Sequence, residues 1–377
     1  MDESRFILYD KITSLLQANI PSNKILCIEK YNKKNLFLLF SSKKKYVLNK
    51  KIYLSENNIK KTPSAFGSIY SSYINDDNSN TSYNFITKVG ILTNITINEL
   101  VILNIVSQNV LKTKNIHLPL IYNDVKCNNI DTSIINLKTI KEQHEFDKAT
   151  SYYSFFIEKE EGDIHTLLKN YKYNDNDIIL INIIPQVFMG ILSCHSLNIY
   201  HNDAHPGNFL FKTLKISKLS CVEYKYKDLT FYIENMGYII KIVDFGLSRI
   251  EKKRGIELID DYITFIESIL KMNLIINKNL LKICKGNTNL YFTKEEREKN
   301  TIYNHDNNNM LNILNKIKSN YYGTDYDIDY DIDYDIDYDI DYDIDYEFIK
   351  YLIDIGILSQ IPIGTIIQTI DLNENMS

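Results

Sequence analysis

Two short acidic segments constrain this chain more than anything else in it. Residues 201–208 read HNDAHPGN and residues 242–246 read IVDFG. The second is an apolar run that delivers Asp244 into a glycine turn. The first places His201, Asp203, His205 and Asn208 within eight residues. By itself HNDAHPGN is open to three readings. His201 and His205 could bind zinc with help from Asp203, but zinc sites want three or four ligands. Pro206-Gly207 also argues for a loop, not the helix that would align the two imidazoles. A tight loop in an ordinary fold is the second reading. The third follows from the pair of segments. Two carboxylates at strand ends, one beside an asparagine, suit Mg2+, which takes few protein carboxylates and fills its remaining sites with phosphate oxygens and water.

Upstream, Lys88 lies in a strand-like run and Glu99 in the helical run that follows, eleven residues on. A Lys–Glu pair fixes an ammonium group so that it can hold phosphates. The 377 residues are enough for two lobes or two domains, each with its own core. The net charge of −5 hides a split, because residues 325–347 hold eleven Asp and one Glu with no base. The rest of the chain is therefore about +7. A mildly basic body suits a phosphate-bearing ligand. The scattered lysines make no nucleic-acid footprint. Five cysteines with no C-x-x-C pair predict a reduced intracellular protein, cytoplasmic by expectation. The N-terminus lacks a signal-peptide layout. The most apolar stretch, Ile178 to Leu192, is interrupted by Asn182, Pro185 and Gln186, so no membrane span is expected.

Periodicity divides the chain. Residues 5–18 have helical spacing. KILCIEKY, NLFLLF and KYVLNKKIYL, within 24–54, are strand-like. DDNSN at 76–80 is a hairpin tip and YNFITKVGIL a strand. INELVILNIVSQNVL, 97–111, is a helix with Thr96 as a candidate N-cap. Residues 123–150 read as a polar inserted loop, and 151–163 as a strand ending in a glycine turn. Helical runs follow, with short apolar runs FLFK, LTFYI and YIIKIVDFG around the two acidic segments. The remainder reads as mainly helical apart from a four-residue unit, Asp-Tyr-Asp-Ile, iterated over 325–346. In an extended chain this repeat puts every Asp on one side and Tyr and Ile on the other. It is either an acidic docking strip for a partner or a low-complexity loop kept disordered by charge repulsion.

Together these pieces resemble the protein kinase superfamily over roughly residues 55–270, and the segment FYIENMGYIIKIVDFGLSRI is similar to kinases of large DNA viruses. AFGSIY at 65–70 resembles the end of a glycine-rich loop, FITK the strand with the ATP-binding lysine, and FFIEKEEGDI the hinge. His201-Asn202-Asp203 resembles His-Arg-Asp, and Asp244-Phe245-Gly246 matches Asp-Phe-Gly. The resemblance implies an α+β, bilobal kinase-like fold with a β-rich N-lobe carrying one key helix and a mainly helical C-lobe. Residues 1–54 are then an N-terminal extension packed on the N-lobe, 55–158 the N-lobe, and 159–377 the C-lobe with an insertion at 212–240. It implies ATP and Mg2+ as cofactors and a protein substrate as partner. Asp203 takes the proton of the acceptor hydroxyl, Lys88 grips phosphates beside Glu99, and Asn208 and Asp244 hold Mg2+. Thr62, Ser64, Ala65, Phe66, Gly67, Ser68 and Ile69 cover the phosphates. Ile157, Glu158 and Glu160 line the hinge. His201 and Phe245 pack beneath the site, and His195 and His165 are structural or surface groups.

The departures are specific. Thr62 and Ser64 replace the first two loop glycines. Asn202 replaces the arginine that answers activation-loop phosphorylation. His205 stands in place of the catalytic-loop lysine, as in aminoglycoside and choline phosphotransferases. Asp261, resembling the aspartate that braces the catalytic loop, lies only seventeen positions after Asp244. The leading expectation is an active, atypical Ser/Thr protein kinase located in the cytoplasm, or in the host cytoplasm or virion if viral. A small-molecule phosphotransferase and a pseudokinase docking module using the acidic repeat are the alternatives.

Overall fold

The computed structural model describes residues 3–20, 28–30, 45–48, 52–55, 67–127, 149, 151–170, 176–214, 219–251, 258–271, 343–354 and 357–373. The chain is mixed α+β and divides into two compact units, Met1–Lys112 with Pro119–Glu160, and Thr113–Leu118 with Glu161–Ser377.

The first unit is built on a seven-stranded antiparallel sheet. Its strands are β1 (Ile28–Lys30), β2 (Lys45–Leu48), β3 (Ile52–Ser55), β4 (Gly67–Asp76), β5 (Thr81–Ile91), β6 (Ile121–Cys127) and β7 (Tyr152–Ile157), in the order β1-β2-β3-β4-β5-β7-β6. The expected N-terminal extension thus supplies three strands of this sheet and the helix α1 (Glu3–Asn19). Alternation along β5 explains why one strand serves two faces. Phe85 and Val89 point into a core shared with Ile12, Leu16 and Ile20 of the α1 segment and with Tyr70, Ile74, Tyr122 and Phe156. Lys88, one residue out of phase, meets Glu99 on the second helix, α2 (Asn94–Thr113). Thr87 shares the α1 phase but finds a polar partner, its hydroxyl lying 2.7 Å from that of Ser72 in a buried pair.

Two ion pairs tie α1 to the sheet. Lys11 reaches Asp76 at 2.7 Å, and Arg5 donates from Nε and Nη2 to the two Glu158 oxygens at 2.9 and 2.7 Å. Asp76 also accepts from Ser79 and the Asn78 amide at the tip of the β4–β5 hairpin. The hydrogen bonds from Lys11 and Ser79 hold its carboxyl down at about 2.

Helix α2 starts earlier than its apolar pattern predicts. Thr93 is the N-cap and Thr96 lies inside the first turn. The Thr96 amide donates to Thr93 Oγ1 at 3.2 Å and the Thr93 amide to Thr96 Oγ1 at 2.8 Å. This reciprocal pair satisfies two amides that a helix start leaves exposed. It also removes Thr96 from the N-cap position that its place before the apolar run suggested. Residues 123–127, at the start of the expected inserted loop, belong instead to β6. Pairing with β7 supplies the backbone partners that its polar residues Asn123 and Asp124 do not advertise.

The second unit carries eight short strands beside four helices among the described residues, and the helices hold more of those residues than the strands do. The helices are α3 (Ile164–Asn170), α4 (Asn176–His195), α5 (Leu258–Lys271) and α6 (Ile344–Asp354). Strands β8 (Gly162–Asp163), β10 (Phe209–Thr213) and β13 (Tyr238–Ile242) form one sheet, and β9 (Ile199–Tyr200) pairs with β14 (Arg249–Ile250). The expected insertion 212–240 builds the hairpin β11 (Ser220–Tyr226) and β12 (Leu229–Glu234). β11 then pairs in parallel with β15 (Thr365–Asp371). The strand β15 lies in a region expected to be helical, and a glycine makes it reachable. Gly364 has φ +78°, and a Cβ there would sit 2.2 Å from the Leu219 carbonyl oxygen that accepts the Thr365 amide.

Helix α4 is the spine of this unit. Phe188 packs edge-on against Tyr262, Phe265 and Phe348 with ring centroids 5.2–6.2 Å apart. The residues that interrupt its apolar run do not end the helix. Asn182 donates to the Glu234 carbonyl, and Gln186 donates to Tyr238 O and accepts from the Ile240 amide. They close the ends of neighbouring strands that would otherwise be buried without partners. No helix among the described residues is long and apolar enough to cross a membrane.

Candidate functional site

In the first unit, Lys88 Nζ lies 2.5 Å from Glu99 Oε1, and both side chains are buried. The ammonium also lies 5.6 Å from the Phe155 ring, on the strand paired with β5. Burying two charges is costly unless they are paired, so this pair is a specific placement of a cation. Of the residues expected to cover phosphates, Thr62, Ser64, Ala65 and Phe66 lie outside the described residues. Gly67 opens β4 opposite Gly90, Ser68 is half-buried, and Ile69, opposite Lys88, is exposed. Ile157 ends β7 half-buried, and Glu160 is half-buried as well. Glu158 has a different employment from the one expected of a hinge-lining residue. Its amide donates to Leu120 O, and its carboxylate is held by Arg5 in a buried, two-pronged ion pair. Burial opposes the Arg5 charge, but Glu158, with Glu160 behind it, raises the guanidinium above its ordinary pKa.

In the second unit, the two acidic segments come together. β10 and β13 pair antiparallel with Phe209 opposite Ile242, which brings the residues before one strand beside those after the other. The Val243 amide donates to Asn208 O at 2.9 Å. Asn208 Nδ2 donates to Asp203 O at 2.8 Å and to Asp203 Oδ2 at 3.0 Å. That orientation leaves the amide oxygen of Asn208 available as a hard ligand. Asp244 follows on left-handed backbone, φ 66° and ψ 72°, and opens a short 3-10 turn over Phe245–Leu247. A non-glycine residue in that region is strained, and such strain concentrates at functional sites.

His205 caps a second 3-10 turn, Pro206–Asn208. Its Nδ1 accepts from the Gly207 amide at 3.0 Å, and its Nε2 is 3.6 Å from Asp203 Oδ2. A Cβ on Gly207 would approach the imidazole to 2.8 Å, so this close turn depends on the glycine. His201 is fully buried, packs edge-on against Phe245 and has its Nε2 3.0 Å from Val243 O. The two histidines are therefore occupied locally in different ways. Among the described residues, no cluster of three or more His, Cys, Asp or Glu side chains could hold a metal ion. Asn208 and Asp244 each carry a hard oxygen donor of the class that Mg2+ takes.

Behind the loop stands Asp261 on α5. Its Oδ2 accepts from the His201 amide and its Oδ1 from the Asn202 amide, both at 2.8 Å. These two bonds hold Asn202 in the left-handed region at φ 60°. Asn202 Nδ2 reaches Leu247 O at 3.2 Å and Ser248 Oγ donates to His201 O at 3.1 Å, stitching the segment after Asp244 to the loop. Asp261 also meets His195 Nε2 at 3.2 Å, and His195 Nδ1 lies 2.8 Å from Asp345 Oδ1. Burial pushes the His195 pKa down, but Asp345 and Asp261 more than offset this and lift it to about 9. Burial pushes Asp261 up, and the His195 hydrogen bond and charge hold it below the usual carboxylate range.

Sequence reasoning missed Asp345 and Arg5 altogether. Asp345 belongs to the repeat, most of which lies outside the described residues. Its end is helical from Ile344, whereas the sequence leaves the tract either an extended strip or a disordered loop. The signal was the text that follows: EFIKYLI breaks the alternation with helical spacing, and Phe348, Ile349 and Leu352 are buried. No protein-family model matches this chain.

Proposed function

We propose that this chain is an ATP- and Mg2+-dependent phosphotransferase of bilobal, kinase-like fold that phosphorylates serine or threonine hydroxyls of proteins. The observation that carries the reading is the loop 201–208. In it the Asn208 amide holds the Asp203 carboxylate, and the Val243 amide, one residue before the strand-end Asp244, donates to Asn208 O. When bound, the nucleotide supplies the phosphoryl group and the cation neutralises charge on its phosphates.

The chain's own residues then have separable tasks. Asp203 accepts the proton of the attacking hydroxyl, and the Asn208 amide fixes the rotamer in which its carboxylate does so. Asn208 Oδ1 and Asp244 are the hard oxygens that would hold Mg2+. Lys88, fixed by Glu99, is the phosphate-binding cation. Asp261 keeps the loop backbone in place. A small soluble alcohol as acceptor is the second reading. It is favoured by His205, an imidazole 3.6 Å from Asp203 at the position where a protein kinase has lysine.

The test is transfer from γ-labelled ATP with Mg2+, comparing the full chain with Asp203→Asn, offered protein acceptors and a panel of alcohols. Label on protein that drops by roughly 10²–10⁴ in Asp203→Asn supports the first reading. Label confined to alcohols replaces it with the second. No transfer from a folded wild-type chain refutes both, and leaves a docking module.

A further inference from the structure

The acidic repeat does not end as a free strip. Asp343 is the N-cap of α6, accepting the Tyr346 amide at 3.0 Å, and it is paired with Lys227 at 2.9 Å and with the Tyr226 hydroxyl. Two residues on, Asp345 is completely buried. Its Oδ1 accepts from Tyr262 OH and from His195 Nδ1, both at 2.8 Å. Phe348, Ile349 and Leu352 then bury the apolar face of the same helix. An aspartate without solvent access is expensive, and nothing in the packing of Phe348 or Leu352 requires one there.

We propose that Asp345, directly after the last complete Asp-Tyr-Asp-Ile unit, is a positioning residue for the loop that carries Asp203, acting through His195 and Asp261. The chain of contacts is short. As an imidazolium, His195 donates Nδ1–H to Asp345 Oδ1 and Nε2–H to Asp261 Oδ2. Asp261 in turn holds the two amides that precede Asp203. Without the Asp345 carboxylate the ring loses one of the two charges that keep it an imidazolium, and the neutral ring donates Nε2–H to Asp261 without the charge that strengthens that hydrogen bond. Which ring nitrogen is protonated is set by the partner of the other. The groups around His195 are Asp345 on α6, Asp261 and Tyr262 on α5, Tyr200 on β9 and its neighbour Cys194 on α4. Loop positioning itself does not depend on the catalytic reading. Its kinetic consequence rests on the phosphotransferase proposal.

The experiment is hydrogen–deuterium exchange of the full chain as wild type, Asp345→Asn and Asp354→Asn. Asp354→Asn makes the same charge change at an exposed position on the same helix. Asp345→Asn keeps the shape and removes the charge. Peptides covering 199–208 should exchange at least about tenfold faster in Asp345→Asn, as expected for weakening a hydrogen bond to a charged group. Peptides from β11, β12 and the first unit, and all peptides of Asp354→Asn, should match wild type. In the transfer assay kcat should fall while KM for ATP changes less than twofold. Unchanged loop exchange, or a rise spread evenly over the second unit, overturns the proposal. Should Asp345→Asn fail to fold, Tyr262→Phe removes one hydrogen bond from the same carboxylate and is judged by the same peptides. Selective loop exchange in a chain that transfers no phosphate would sink the phosphotransferase reading and keep the positioning role.

Discussion

Removing Arg5 should damage the first unit far more than removing Arg5 and Glu158 together. The two side chains are 4% and 8% exposed and joined by two hydrogen bonds, at 2.9 and 2.7 Å. Arg5→Met removes the cation paired with the buried Glu158 carboxylate and leaves Glu160 nearby. Breaking one side of such a pair costs about 3–5 kcal/mol, because the cost is the stranded charge and not the lost attraction. For a cooperative unit of about 150 residues that is a fall of roughly 6–20 °C in melting temperature. Arg5→Met/Glu158→Gln removes both charges and should regain most of the loss, because replacing a buried pair by neutral groups of similar volume is often close to neutral. The assay is thermal and urea unfolding of wild type, both single variants and the double variant, followed by exchange at peptides of β6 and β7 to assign the transition to this unit. A single variant within about 1 kcal/mol of wild type, or a double variant as unstable as Arg5→Met, would refute the stranded-charge argument. The second result would mean that α1 is held by Arg5 packing and not by charge.

Two further outcomes follow from particular residues. His195 has an ordinary pKa of 6.5 and is lifted to about 9 when folded. Its contribution is therefore fully present below pH 6.5 and is lost as pH rises through about 9, on the order of 3 kcal/mol in all. Melting temperatures measured from pH 6 to 10 should show this fall in wild type, and a His195→Gln chain should show a flatter profile over the same window. Gly364→Ala forces a side chain into left-handed backbone and against the Leu219 carbonyl. It should cost about 1–3 kcal/mol and expose the β11–β15 amides to exchange, whereas a wild-type-like melt would mean that the turn rearranges freely.

The site was legible where its chemistry is local. HNDAHPGN and IVDFG are each continuous, and the residues that bring them together sit at the ends of two adjacent strands. Asp203, Asn208 and Asp244 could therefore be singled out from spacing and residue type, and the geometry joins the first two by a hydrogen bond. Lys88 and Glu99 are eleven residues apart on a strand and the helix after it, close enough for the period of each element to bring them face to face. Glu158 was legible only as a polar residue after a strand. Its partner lies 153 positions away on α1, and no local pattern encodes that choice.

The repeat draws the line most clearly. By itself the sequence determined that an acidic, alternating tract precedes a helical segment, and that residues 201–208 and 242–246 are loops bearing carboxylates. It could not single out one aspartate among eleven chemically identical ones in the tract. Tertiary structure chose Asp345 among the tract's described residues, because burial of Phe348, Ile349 and Leu352 fixes the rotation of α6 and turns its carboxylate to His195 and Tyr262. Local periodicity sets which residues share a face. What that face meets is decided by packing across long separations, where the cost of burying a charge leaves few places for it to go.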